Sequence, residues 1–280
     1  MEKIYRFRKL LPIVLLLLYV SCDKEEMIPN DSDKKVKSET SFESRVAGLS
    51  VFKGPEVNLG RGKIRSWISI NSQGEPEELG VEMTPNALRG LPVESEHSHT
   101  IVVPLHLKAK QITPFDHIGL NWNPNGHEPE GVFDVPHFDL HFYMISVKDR
   151  EAIPAWSPET DALFNNYPPR GYMPQDYFTP PGPATAEAQM GKHWLPVNLG
   201  DFLPFKSIMI YGSYDGRVIF YEPMFTYKML TNPFEGTSRD FSVPSYYQTL
   251  DSYPSTYNIY KDEDTGKIYI SMSNFLRKIR

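Results

Sequence analysis

Short runs of alternating apolar and polar residues recur along this chain: Ser66 to Ser72, His99 to Lys108, His117 to Trp122, His137 to Ser146, Ser207 to Tyr211 and Arg217 to Leu230. A closing pair from Thr256 to Phe275 turns at Glu263-Asp264-Thr265-Gly266. A period of two is the signature of strands with one buried face, and a turn-rich tetrapeptide between two such runs reads as a hairpin. Helical signals are short, confined to Thr84 to Leu91 and a turn or two after Ser146, where Asp149-Arg150-Glu151 precedes Pro154. The chain is therefore expected to be mainly β, a single antiparallel β-sandwich or barrel-like domain with short helices. With 16 tyrosines, 16 phenylalanines and 4 tryptophans it can fill such a core, and its 25 prolines require long structured loops. Pro154 to Pro183, rich in Pro, Tyr and Asn, reads as a loop that wraps the surface. No repeat of fixed period interrupts this pattern.

The first 21 residues read as a processing signal. Lys3, Arg6, Arg8 and Lys9 form a basic start, Leu10 to Val20 is an apolar run short for a permanent span, and Leu18-Tyr19-Val20-Ser21-Cys22 resembles a bacterial lipobox. That resemblance implies acylation of Cys22 and a domain held to the outer membrane by lipid chains, each buried methylene contributing about 0.8 kcal/mol. Cys22 is also the only cysteine, so no disulfide can form within the chain and the fold must rest on packing. Asp23-Lys24-Glu25-Glu26 resembles an acidic tag for display on the outer face, leaving periplasmic and outward-facing locations both open. Residues 22–47 are expected to form the acylated cysteine and a flexible tether, because they hold few large apolar groups; residues 48–280 form the β-rich domain. The whole chain carries a formal charge of −6, and removing the basic leader makes it more acidic still. An acidic domain is a poor partner for nucleic acid.

Chemistry concentrates in His127 to Tyr143, HEPEGVFDVPHFDLHFY. On a strand from His137, one face carries His137, Asp139, His141 and Tyr143, the other Phe138, Leu140, Phe142 and Met144. The second face suits a core. The first occupies positions that usually hold Thr, Lys or Glu, yet it holds groups that bind metals or move protons. Gly126 and the loop after it would fold His127 back beside His137 as a hairpin. Residues two apart on a strand can share an ion, whereas His137 and His141, about 13 Å apart at Cα, cannot easily converge on one. Two sets follow: His127 with His137, or Asp139 with His141, each completed from elsewhere. Candidates for completion are His193, in Met190 to Trp194, and Glu222, whose flanks read as apolar on both faces and so bury its carboxylate. A metal-free hydrogen-bonded network and an ordinary solvated face are the competing readings of the same residues.

Other histidines carry weaker signals. His97 and His99 fit a solvated turn, His106 a half-exposed strand position, and His117 beside Asp116 fits either a surface or a site. Trp122 and Trp194 could line a pocket but suit a core better. No nucleophile elbow, phosphate loop, dinucleotide fingerprint or H-E-x-x-H motif is present, and Pro129 breaks the last of these after His127-Glu128. Gly212 to Gly216 reads as a turn between strands.

HEPEGVFDVPHFDLHFY, MGKHW and FYEPMFT together, in that order, resemble the signature of an uncharacterised family of secreted bacterial proteins, a domain of unknown function, over about Pro92 to Leu230. The resemblance implies a β-rich extracytoplasmic domain and supports His127, His137, Asp139, His141, His193 and Glu222 by position, without naming a substrate. Two functional classes follow from the residues. One is a divalent metal such as zinc held by His127, His137, His193 and Glu222, with Asp139 and His141 as supporting or alternative ligands. The other is a non-catalytic surface module, able to assemble as a homo-oligomer through its aromatic loops, in which the polar face is a metal-free network.

Overall fold

The computed structural model describes residues 41–94, 100–231 and 233–277. Cys22, the tether up to residue 40, and His97 and His99 lie outside the described residues.

Two antiparallel sheets pack face to face. One orders the strands Ser50–Lys53, Gly62–Ile70, Pro76–Met83, Ile268–Ser273, Thr256–Lys261 and Thr237–Asp240, with Val57–Leu59 paired to Gly62–Ile70. The other orders Ile101–Pro104, His117–Asn123, His137–Tyr143, Arg217–Thr226, Ser207–Tyr214, Gly191–Pro196 and Tyr177–Phe178, with Ala186–Glu187 on Gly191–Pro196. Alternation explains the core between them: Phe138, Leu140 and Phe142 from the second sheet meet Ile64, Ile68, Leu79, Val81, Ile259 and Ile270 from the first. Each such side chain contributes about 1.5–3 kcal/mol on burial. Trp122 and Trp194 pack against this core; their indole nitrogens donate to the Pro92 carbonyl and to Ser213 Oγ, both 2.9 Å or less away. The chain is a β-sandwich with short helices. The described residues belong to one compact unit, and none of their helices is long and apolar enough to cross a membrane.

The closing hairpin forms as read, Ile259 opposite Ile270. The 207–214 and 217–226 strands join through Asp215 and Gly216, at φ 44° and 78°, the left-handed pair that a tight hairpin turn requires. Several boundaries differ from the periodicity. The run from His99 ends as a strand at Pro104, after which His106 Nδ1 accepts from the Lys108 amide and caps the helix Leu107–Ile112. His106 is thus half-buried as a cap, not as a strand residue. Thr84 to Leu91 forms tight turns instead of a helix, because Ala87 and Arg89 donate three residues back and the Arg89 carbonyl is taken by the Arg61 amide. The 217–230 run stops at Thr226 and turns into the short helix Tyr227–Leu230. Helix Val147–Glu151 lies where expected, capped by Ser146 Oγ on the Asp149 amide.

The ordered domain also starts earlier than residue 48. Phe42 stacks on Tyr269 with centroids 4.5 Å apart, meets Trp67 edge-on and donates its amide to Asp262 Oδ2 at 2.8 Å. One aromatic residue, sealed over the outer face of the first sheet, converts the end of the expected tether into structure.

Candidate metal centre

Every residue from His137 to Tyr143 is buried, so the polar face of this strand does not face solvent. Loops cover it. One apolar cluster, Phe133, Leu195, Phe205, Ile208, Ile210 and Met224, seals one side, and a second, Tyr143, Ile153, Phe164, Ile219 and Phe220, seals the other. Between them lie six groups that are costly to bury unless paired.

Register places them. His137–Tyr143 pairs with His117–Asn123 on one side and Arg217–Thr226 on the other, so Asn123 stands opposite His137, Asn121 opposite Asp139, Gly119 opposite His141, and Met224 opposite Asp139. Glu222 lies between the pairs Phe220–Tyr143 and Met224–Asp139, beside His141. His193 comes from two strands further along, paired with Gly212. Gly212 is required there: a Cβ would overlap the Phe220 ring, which packs edge-on to His141 at 4.7 Å and lies 5.2 Å from His193. His127 returns through Gly126 at φ 72°, where a side chain would collide with the Phe133 and Asp134 backbone, and bridges to Phe133.

The six form two triads, His127 with His137 and Asp139, and His141 with His193 and Glu222. Within each, one ligand atom per residue lies within 4.8 Å of the others. The hairpin does bring His127 beside His137, with ring centroids 4.6 Å apart. The expected pairing of Asp139 with His141 does not form, because their strand spacing lets Asp139 lean toward His137 while His141 leans toward Glu222. Asp139 and His141 are therefore full members of the triads, not supports for them.

In the first triad His127 Nε2 is 3.3 Å from Asp139 Oδ2 and His137 Nε2 is 3.2 Å from Asp139 Oδ1. Each ring's other nitrogen is fixed, His127 Nδ1 on the Glu128 carbonyl at 2.7 Å and His137 Nδ1 on the Val135 carbonyl at 2.6 Å. A carbonyl only accepts, so each Nδ1 carries a proton and directs Nε2 at the carboxylate. Asn123 Nδ2 donates to Asp139 Oδ2 at 2.6 Å and lies 3.3 Å from His137 Nε2. This triad contains a hydrogen-bonded His/Asp/Asn network. Burial opposes a charge on His127, but its bond to Asp139 outweighs that and raises its pKa; burial would likewise raise the Asp139 carboxyl, which the charges of His137 and His127 hold well below the usual carboxylate range.

The second triad is not satisfied internally. His193 Nδ1 donates to the Thr185 carbonyl at 3.1 Å, leaving Nε2 3.7 Å from Glu222 Oε2. His141 Nε2 is 3.4 Å from Glu222 Oε1 without hydrogen-bond geometry. Both ring nitrogens of His141, Glu222 Oε2 and Asp139 Oδ1 are buried with no hydrogen-bond partner. Burial pushes His141 down to about 3 and His193 to about 4, and burial, then the Asp139 charge, pushes Glu222 well above the carboxylate range. Without a cation these are two neutral imidazoles and a neutral acid.

Sequence reasoning missed the surrounding shell. Asn121 and Asn123 alternate on one strand face and carried that signal, and Tyr143 shares the alternating face of His137, Asp139 and His141; Gly119, Gly212 and Phe220 carried none. His117 belongs to this shell: it is buried, stacks on Tyr143 at 4.9 Å and sits 3.2 Å from Asp116 Oδ1. No family model, curated protein or solved structure matches the chain.

Proposed function

We propose that this chain is a cell-envelope lipoprotein whose sandwich domain holds a divalent metal, zinc being the best fit, at the two His/Asp/Glu triads. The observation that carries the metal is the second triad, where His141 Nε2 and Glu222 Oε1 face one another at 3.4 Å, buried and without a hydrogen bond between them. Buried polar groups left without a hydrogen bond are unfavourable, and a cation in place of the acid's proton relieves this. Bonds of about 2.0–2.1 Å in a tetrahedron place ligand atoms roughly 3.3 Å apart; each imidazole Nε2 here lies 3.2, 3.3, 3.4 or 3.7 Å from one oxygen of its carboxylate, and one ligand atom per residue lies within 4.8 Å of the others in each triad. Three protein ligands per triad leave a position for water, as in zinc sites that act as Lewis acids, so hydrolysis is the reaction class this geometry supports. In the first triad Asn123 donates to Asp139 Oδ2, but Oδ1 has no hydrogen-bond partner, so this network too is left incomplete.

The envelope part of the proposal is supported by the basic leader and Leu18-Tyr19-Val20-Ser21-Cys22. Elemental analysis of untagged protein beside Glu222→Gln and Asp139→Asn tests the metal. Zinc that falls in each variant by the share of its own triad supports it; protein free of metal even after incubation with zinc removes it. Mass spectrometry of the amino terminus, with Cys22→Ala as control, tests acylation.

A further inference from the structure

Of the six ligand residues, only His127 and His193 reach solvent, with side chains 29% and 15% exposed; Asp139 is at 7% and the others at 2% or less. These two imidazoles are therefore the most exposed edge of the centre. Each lies under its own segment: His127 belongs to the 126–136 loop, and His193 is tied by both its amide and Nδ1 to the Thr185 carbonyl in the 183–191 segment. The two segments cover neighbouring positions of one strand face, His127 lying 3.3 Å from Asp139 Oδ2 and the His193 ring 6.0 Å from that of His141, two residues along.

Both rims are acidic. Glu128, Glu130 and Asp134 are exposed on one and Glu187 on the other, and neither segment contains a lysine or arginine. The adjoining Lys192 is buried, its ammonium bound to the Gly182 carbonyl. The buried guanidinium of Arg150 lies over Tyr143 at 5.7 Å and belongs to neither rim segment. Below this rim wait the unpartnered Asp139 Oδ1, His141 nitrogens and Glu222 Oε2.

We infer that the 126–136 and 183–191 rims form an acidic mouth that draws divalent cations to the triads, so that the cation is an exchangeable ligand and phosphate esters, carboxylates and other anions are disfavoured as substrates. This rests on the metal reading and narrows it. A single-sign cleft raises the local concentration of the opposite charge and speeds association roughly 10–1000-fold, an effect screened over about 8 Å at physiological salt.

The test is stopped-flow binding of Co²⁺, read from its visible absorption, to the full protein and to the triple variant Glu128→Gln, Glu130→Gln, Glu187→Gln. None of these carboxylates is a ligand in the triads, and the Glu128 backbone carbonyl that holds His127 is unchanged. At low ionic strength the variant is expected to associate several-fold more slowly, with the difference vanishing in high salt and the final spectrum unaltered. Equal rates and equal salt dependence would overturn the mouth while leaving the metal centre intact. No Co²⁺ spectrum in the parent protein would overturn the metal reading, and the mouth with it.

Discussion

His141 Nε2 and Glu222 Oε1 stand 3.4 Å apart at the centre of the second sheet, both side chains 1–2% exposed, and share no hydrogen bond. Two such groups meet in a sealed interior only at a cost, and the direction of that cost fixes how the protein responds to substitution.

Glu222→Gln separates stability from binding. Glu222 has a folded pKa raised well above its ordinary 4.5, so the folded state holds a proton that the unfolded state releases. Its contribution to stability is therefore full below pH 4.5 and is lost as pH rises toward the folded value. The neutral glutamine escapes that loss. In chelator at pH 7–8 the variant should melt above the parent; with excess zinc the order should reverse, since metal at a hundred times its Kd adds about 2.7 kcal/mol to a protein that binds it. Thermal melts in both buffers decide this, and a variant destabilised in chelator would contradict it.

The buried histidines act with the opposite sign. His141 and His193 are held at about 3 and about 4, so between those values and about 6.5 the unfolded chain binds protons that the folded chain refuses. Stability falls as pH drops through this window. Glu82 adds a second acid limit: burial would raise it, but bonds from Lys53 at 2.8 Å and Arg65 at 2.7 Å hold it below 4.5, giving stabilisation present above pH 4.5 and lost as pH falls through its folded value. In a Glu222→Gln background, which removes the opposing carboxyl, urea midpoints of the metal-free protein should decline from pH 6.5 downward and steepen below 4.5, with Glu82→Gln reducing the second phase and Asp139 supplying the rest.

Asp139→Ala should be more damaging than Asp139→Asn. Removing the carboxylate strands His127, His137 and the Asn123 amide together, and breaking a buried charge pair costs about 3–5 kcal/mol. Asparagine retains a carbonyl oxygen for Asn123 and loses only the charge. Chemical denaturation of both variants in chelator measures the gap; equal losses would mean that the oxygen offered to Asn123 contributes nothing beyond the carboxylate charge.

How much of this was legible beforehand follows the physics of each element. The Phe138/Leu140/Phe142 face, the 256–275 hairpin and the return of His127 beside His137 were readable because alternation and turn chemistry are local. Burial of Glu222 was readable from its apolar flanks. The grouping into triads was not, because it depends on the register of Arg217–Thr226 against His137–Tyr143 and on a strand 50 residues further along bringing His193 across. Nor was the cover over the polar face, since Phe133, Phe205 and Ile153 lie in segments with no strand period. Phe42 escaped for a similar reason: one aromatic in a polar stretch carries no pattern until Tyr269 is beneath it.

Gly212→Ala probes the geometry without touching a ligand. A Cβ there would overlap Phe220, and displacing the ring disturbs its contacts with His141 and His193, at 4.7 and 5.2 Å. A methyl forced into a close-packed site typically costs about 1–3 kcal/mol. The second triad should then bind metal at least tenfold more weakly while the first, formed by His127, His137 and Asp139 on the far side of Met224, keeps its affinity. Competition titration with a chromophoric chelator resolves the two sites. Phe220→Leu in the Gly212→Ala background, which gives the methyl room, should recover most of the lost affinity; if it does not, the ring is not what transmits the effect.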